Sequence, residues 1–285
     1  MHLLIASILC SVAVSVFLKI ARRHHIDVGQ AIGVNYLTAI SLCIVLLRPE
    51  PLSVIQASTP LWILLLLGFL LPTVFIVMAR AVESAGIVLS DAAQRLSLIL
   101  PLLTAYFILG EHLGGFQLTG VALALAALVC LTLKPTTPSR SGDSPASRHG
   151  ALYLLLVWLG YGVIDILFKQ LSKSGAQFAG SLVISFAMAA VVMFGYLLSK
   201  RTQWLTKSLL SGIALGILNF GNIYFYIRAH QHFPQNPTLV FSAMNIGVIT
   251  LGTVVGAGLF KEKLSRLNIL GIALAIAAIV ALIPR

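Results

Sequence analysis

The chain has 285 residues, of which 59% are hydrophobic and only 9% are charged, and its mean hydropathy is +1.00. A soluble protein of this length would carry about 25% charged residues, so the composition excludes a water-soluble globule and indicates a membrane protein. The net charge of +11 does not indicate a nucleic-acid partner. The cations stand in small groups at the ends of apolar runs, without a basic stretch interleaved with aromatics.

Ten apolar runs approach or exceed the roughly 20 residues that a membrane-spanning helix needs. They cover residues 3–20, 30–47, 61–79, 87–109 and 116–133, and then 151–171, 179–198, 209–229, 237–260 and 267–283. A linker rich in Pro, Ser and Thr occupies 135–149. The sequence therefore predicts an all-α integral membrane protein with a five-helix unit over 1–134 and a second one over 150–285.

The two units share a sequence repeat. Residues 110–133 recur 151 positions later as residues 261–284, so that Glu111 corresponds to Glu262 and Gly120 to Gly271. Because five spans are an odd number, the second unit starts from the opposite side of the membrane. The pattern predicts two inverted repeats, which exchange conformations around one central site.

The distribution of cations predicts the orientation. Fourteen of the 19 Lys and Arg residues lie in or beside the loops that follow the odd-numbered spans, or 12 if Arg80 and Arg95 are assigned to helices, and five lie on the other side. The positive-inside rule assigns the richer side to the cytoplasm, which places both termini outside the cytoplasm.

The fourth span carries Asp91, Gln94 and Arg95, and such groups inside a membrane usually face a cavity or each other. Adding 151 to Gln94 gives Asn245, at a similar depth in the ninth span. This pair predicts a substrate site near the midplane, with a packing contact between helices as the alternative. Arg95 either pairs with Asp91 one turn away or binds a substrate carboxylate or phosphate.

The sixth span contributes Asp165, which lies deeper than Lys169. Desolvation favours the neutral form of a carboxyl group, so Asp165 is the first candidate for proton coupling and Asp91 the second. An intrahelical pair with Lys169 is the alternative for Asp165. Trp158 and Tyr161 on the same span are candidates for stacking on a substrate, with ordinary packing as the alternative.

The eighth span is the most polar. Asn219, Asn222 and Tyr226 follow a spacing of three and four residues and therefore share one helix face, which predicts that they line the cavity. Asn35 and Tyr36 in the second span are further candidates for substrate binding.

The sequence predicts no catalytic residue, no metal and no cofactor, and therefore no enzyme. It has no Ser/His/Asp or Cys/His pattern with usable spacing, and His230 and His232, expected in a loop, have no third ligand in view. A membrane-embedded enzyme acting on lipids would need such a cluster, and it is the least favoured alternative.

Each half closes with Glu, Leu, a short polar turn and an apolar helix led by Gly, which resembles the EamA-like branch of the drug/metabolite transporter superfamily. The matching residues are Gly110, Glu111, Leu113 and Gly120 in the first half and Lys261, Glu262, Leu264 and Gly271 in the second. The resemblance implies a basket-like bundle around a cavity lined by spans three, four, eight and nine, with spans one and six. The predicted position of the termini departs from the many family members whose N-terminus lies in the cytoplasm.

The resemblance also implies a function. We expect a secondary transporter that moves small polar, amino-acid-like or other organic solutes by alternating access, as a multi-pass protein of a plasma membrane, namely a bacterial inner membrane. Its partners would be a small-molecule substrate and membrane lipid, and the chain would act as a monomer or homodimer. Export of several drugs or of lipophilic cations is the alternative within transport.

Overall fold

The computed structural model describes residues 2–21, 24–49, 60–101, 103–104, 114–133, 145–173, 177–233 and 237–282. The first half contains α1 His2–Ala21, α2 Val28–Leu47, α3 Leu61–Ala85, α4 Ile87–Leu96 and α5 Gly115–Thr132. The second half contains α6 Pro145–Lys173, α7 Phe178–Ser199, α8 Thr206–His232, α9 Pro237–Val254 and α10 Arg266–Ala281. A π-helical turn, Val255–Leu259, extends α9.

The prediction of an all-α membrane protein is confirmed. Each of the ten helices overlaps one predicted span, and within the described part of the chain seven are long and apolar enough to cross a membrane. Large apolar side chains cover the outside of the bundle: on α3, Trp62, Leu65 and Phe69 are each more than half exposed. A surface of this kind is stable in lipid rather than in water.

Several helices differ from the predicted spans: α6 begins at Pro145, inside the expected 135–149 linker, and α3 continues to Ala85. The fourth span was expected to be continuous over 87–109, but α4 ends at Leu96, and helical geometry resumes at Ile99 after a turn. Pro101 explains the break, because it has no N–H to donate to the carbonyl of Ser97 and its ring crowds that carbonyl. The eighth helix continues to His232, so His230 lies on a helix and not in the expected loop.

Small residues set the closest helix contacts. Gly212 and Gly216 of α8 lie against the backbone of α2, where an added Cβ would stand 2.7 Å from the Ala31 carbonyl oxygen and 2.9 Å from that of Asn35. Gly271 of α10 lies against Leu131 of α5. The repeat-related small residues of α5 and α10 therefore pack the two helices together within one chain.

The main apolar core lies where α2, α3, α7 and α8 meet. Its largest buried side chains include Tyr36, Phe186 and Phe220. A second core joins α4, α5 and α10 around Leu96, Ile99 and Ile279. These two cores fix α4 and α8 on either side of a polar interior.

Candidate substrate-binding site

A cavity of about 260 Å³ lies between α4, α6, α8 and α9. Ser97, Leu98, Ile223, Ile227 and Met244 form part of its wall. The rest of the lining consists of candidates identified from the sequence: Gln94, Arg95, Tyr161, Asp165, Asn222, Tyr226 and Asn245. The tertiary structure thus brings together seven polar side chains from four helices that are far apart in sequence.

Arg95 supplies positive charge to the cavity. Its Nη2 donates to the Ser11 hydroxyl of α1 at 2.7 Å, while its Nε has no hydrogen-bond partner among the described residues. The guanidinium lies within electrostatic range of Asp91 on its own helix, and also of Tyr226, Tyr161 and Asp165. A cation and a carboxylate therefore face one cavity from different helices.

Asp91 is buried and does not line the cavity. The Ser15 hydroxyl donates to its Oδ1 at 2.6 Å, and its Oδ2 has no partner among the described residues. Gly252 of α9 leaves room beside Oδ2, since a Cβ there would stand 2.8 Å away. Of the alternatives that the sequence left open, the Asp91–Arg95 ion pair is not formed.

Three serines of α1 support the site, and sequence reasoning missed them. Ser7 donates to the carbonyl and side-chain oxygens of Asn222, each at 2.9 Å, and lies 3.4 Å from the Met244 sulfur. Ser11 and Ser15, the next two turns, contact α4. Their spacing of four residues on an apolar helix was a signal that could have identified this row.

The predicted polar face of α8 is divided. Asn222 and Tyr226 line the cavity, but Asn219 donates to the Asn35 side chain of α2 at 3.2 Å. Tyr36 packs against Phe186, with ring centroids 5.9 Å apart. These contacts place three of the candidates at helix interfaces: Asn219, Asn35 and Tyr36. Asn219 lies three residues before Asn222 on α8, and this step turns its side chain toward α2. The geometry therefore does not favour a role for these three residues in substrate binding.

Trp158 also lies outside the cavity lining. Its indole N–H donates to the Leu96 carbonyl at 3.1 Å, where α4 ends. The freed carbonyl at the break thus finds a partner on α6. This contact is structural, in line with the packing alternative for Trp158.

Glu262, from the repeated motif, caps α4. Its carboxylate accepts from the N–H groups of Ile87 and Val88 at 2.8 and 3.2 Å, and Lys19 of α1 lies 3.3 Å away. Gly86, with φ of 94°, permits this approach, since an added Cβ would stand 2.6 Å from the carboxylate. An anion at a helix N-terminus is stabilised by the unpaired amides and the helix dipole. Glu111, its repeat partner, lies outside the described residues.

A second cavity, of about 430 Å³, lies at the ends of α1, α2, α3 and α7. Its charged side chains already have partners: Arg80 lies 4.0 Å from Glu83, Asp27 accepts from the Gln30 N–H at 3.1 Å, and Lys200 Nζ lies 4.8 Å from the centroid of the Tyr196 ring. Within the described ranges, His, Cys, Asp and Glu form no group of three that could hold a metal ion. The central cavity is therefore the candidate site.

The fold and the cavity define a class: a multi-pass α-helical membrane protein with a polar cavity between its helices. Comparison with known proteins narrows the class. The profile of the EamA-like transporter family matches residues 1–133. The chain belongs to the EamA-like transporter family and is a membrane transporter.

Two bacterial proteins and one solved structure are similar to the chain. A protein of Haemophilus influenzae, described as uncharacterized, is 55% identical over 287 residues, which cover 99% of this chain and 97% of that protein. An uncharacterized protein of Pseudomonas aeruginosa is 29% identical over 166 residues, covering 58% of this chain and 53% of the relative. One crystal structure superposes with a TM-score of 0.58 at 17% identity, covering 98% of this chain and 94% of the other, and so shares the fold.

Proposed function

We propose that the protein is a secondary transporter that moves small polar, amino-acid-like metabolites by alternating access through the central cavity. The observation that carries this proposal is that Arg95 and Asp165 line one cavity of about 260 Å³, from α4 and from α6. Charged groups inside a membrane bundle are costly unless they serve a ligand, an ion or each other.

The lining supports a zwitterionic substrate. The Arg95 guanidinium offers donors to a carboxylate, and Asp165 offers acceptors to an ammonium group. Asn222 and Asn245 add amide donors and acceptors, while Leu98 and the neighbouring apolar residues accept an uncharged side chain. A substrate with both charges would satisfy the site more completely than a dianion or a simple cation.

Asp165 remains the first candidate for proton coupling. It lies beside Ser97 in the cavity and within electrostatic range of Arg95. A proton and a substrate ammonium group would compete for the same carboxylate, which links their movements. Asp91 remains the second candidate because it is buried on the same helix as Arg95.

The helix contacts support an inverted repeat over residues 1–134 and 150–285. Helix α1 packs on α8 and α9, and its counterpart α6 packs on the corresponding helices α3 and α4. In the same way α2 packs on α8, and α7 packs on α3. Contacts of this kind are expected when two similar halves are related by a pseudo-twofold axis.

The cavity lies on one side of the membrane. Along α4, Glu262 contacts the first residues, Asp91 follows, and the cavity begins at Gln94. The Lys19–Glu262 pair therefore closes the end that the cation distribution assigns to the cytoplasm. We infer an outward-facing arrangement in a bacterial inner membrane.

Ligand-dependent thermal stability of the purified protein tests the function. We expect neutral amino acids to raise the melting temperature, because a ligand at 100 times its Kd stabilises the folded protein by about 2.7 kcal/mol. The gain should be lost in Arg95→Ala and in Asn245→Ala. In Asp165→Asn the ligand effect should no longer differ between acidic and neutral pH.

One observation favours a second function. Asp165 lies in the cavity with Tyr161 and Tyr226, and a carboxylate beside aromatic rings suits a lipophilic cation. Stabilisation by lipophilic cations, without any effect of polar metabolites, would replace the metabolite proposal by drug export. Substrate flux into liposomes that contain no other protein would separate both forms of transport from an enzyme acting on lipids.

A further inference from the structure

Two consecutive turns of α1 bond to two consecutive turns of α4. Ser15 donates to Asp91 Oδ1 at 2.6 Å, and Ser11 accepts from Arg95 Nη2 at 2.7 Å. The serines are four residues apart, and so are Asp91 and Arg95. The two bonds therefore match in register along antiparallel helices.

This arrangement replaces an ion pair that the sequence would otherwise form. An acidic and a basic side chain four residues apart on a helix normally pair with each other, and the attraction grows in a low-dielectric interior. In the part of the chain that the structure describes, ion pairs join Lys19 to Glu262 and Arg80 to Glu83. Asp91 and Arg95 bind hydroxyl groups instead.

The partner of Arg95 decides how much of its charge is left for a ligand. A carboxylate would neutralise the guanidinium, whereas a hydroxyl group satisfies one N–H and leaves the charge in place. Arg95 lines the cavity and Asp91 does not. An anionic group that enters the cavity therefore meets a guanidinium that forms no direct ion pair with Asp91, while Asp91 and Asp165 lie within electrostatic range.

We propose that Ser11 and Ser15 are positioning residues that hold Asp91 and Arg95 apart and so reserve the Arg95 charge for an anionic group of the ligand. The ligand part rests on the proposed function, but the separation of the two side chains does not. Both groups have unused capacity to pair, since Asp91 Oδ2 and Arg95 Nε lack partners among the described residues. Without the serine contacts, the carboxylate and the guanidinium would come together.

Chemical modification of Arg95 tests the separation without a substrate. Phenylglyoxal reacts with accessible arginines, and peptide mass spectrometry gives the rate at Arg95 alone. We expect Ser11→Ala and Ser15→Ala each to slow this reaction about tenfold, the effect of one charge-assisted contact that covers the guanidinium. With Asp91→Asn as the background, Ser11→Ala should change the rate less than twofold.

Two variants control the experiment. Ser7→Ala removes a hydroxyl from the same row, but its partners are Asn222 and Met244, so the Arg95 rate should stay unchanged. Ser11→Thr retains the hydroxyl group and should react like the wild-type protein. An unchanged or faster reaction in Ser11→Ala, or an equal slowing in the Asp91→Asn background, would overturn the proposal.

Ligand binding provides a separate readout. Alanine, threonine and phenylalanine, added one at a time, should stabilise Ser11→Ala only at about tenfold higher concentration than the wild type. If no amino acid binds the wild type while the Arg95 reaction slows as expected, the proposed function fails and the separation stands. If amino acids bind the wild type and Ser11→Ala with equal affinity, the serines do not reserve the charge and the proposal fails.

Discussion

At Glu262, one carboxylate joins three parts of the protein. It accepts hydrogen bonds from the first amides of α4 and forms an ion pair with the ammonium group of Lys19. It also lies in the space that Gly86 leaves open by having no side chain. Its side chain is only 10% exposed and that of Lys19 only 20% exposed. Removing its charge would leave the Lys19 ammonium group with the Val82 carbonyl but without a carboxylate, in a poorly solvated place, which is more costly than the loss of an exposed pair.

We therefore expect Glu262→Gln to lower the free energy of unfolding by about 1–3 kcal/mol. Glu83→Gln is the matched control, because Glu83 and Arg80 are 34% and 62% exposed at a distance of 4.0 Å. An exposed pair of that kind contributes about 0–1 kcal/mol. Thermal unfolding in detergent compares the two, and equal small losses would show that Glu262 does not hold α4.

The contact of α2 with α8 depends on glycine. An added Cβ at Gly216 would stand 2.9 Å from the Asn35 carbonyl oxygen, which belongs to the backbone and cannot rotate away. By contrast, an added Cβ at Gly195 of α7 would point into open space, with no neighbouring atom within 4 Å. The backbone of α2 therefore leaves no room for a side chain at Gly216, whereas a side chain fits at Gly195.

Gly216→Ala should destabilise the protein by about 1–3 kcal/mol, because the two helices must move apart to admit the methyl group. Gly195→Ala should be neutral or stabilising by up to about 1 kcal/mol, since alanine favours a helix over glycine. The midpoint of thermal unfolding measures both. Similar stability of the two variants would mean that α2 and α8 have freedom to separate at Gly216.

On the scale of the whole molecule, the orientation sets which compartment the cavity faces. The sequence assigns most Lys and Arg residues to the loops expected on the side of the Lys19–Glu262 pair. In the proposed orientation, the cavity lies between the midplane and the other side, in line with the order of contacts along α4. If all ten helices span, this orientation also places both termini on the side of the cavity, because α1 begins and α10 ends there.

Fusions with compartment-specific reporters check this orientation. Green fluorescent protein inserted in the 135–149 linker should fluoresce, because it folds in the cytoplasm, and alkaline phosphatase fused after residue 285 should be active outside it. The reverse pair of fusions is the control and should be inactive. If instead only alkaline phosphatase in the linker and green fluorescent protein after residue 285 were active, the termini would lie in the cytoplasm and the cavity would face the cytoplasm.

The site could be predicted only in part. The residue type gave Arg95 and Asp165, since charges inside apolar spans indicate function, and the repeat gave Gln94 and Asn245. Asn219 and Tyr36 look equally polar in the sequence but belong to the contacts of α2. The spacing of residues along a helix shows which side chains share a face. It does not show whether that face lines a cavity or contacts a neighbouring helix, because this depends on how the helices pack.

The sequence by itself determined the membrane environment, the ten helices and the family, because apolar length and a repeated motif are local or periodic properties of the chain. Only the tertiary structure decided the partner of each charge. Asp91 and Arg95 have the spacing of an ion pair, yet each forms a hydrogen bond with a serine of α1, some 80 residues earlier. Hydrogen bonds between distant helices depend on register, and register is set when the whole bundle packs.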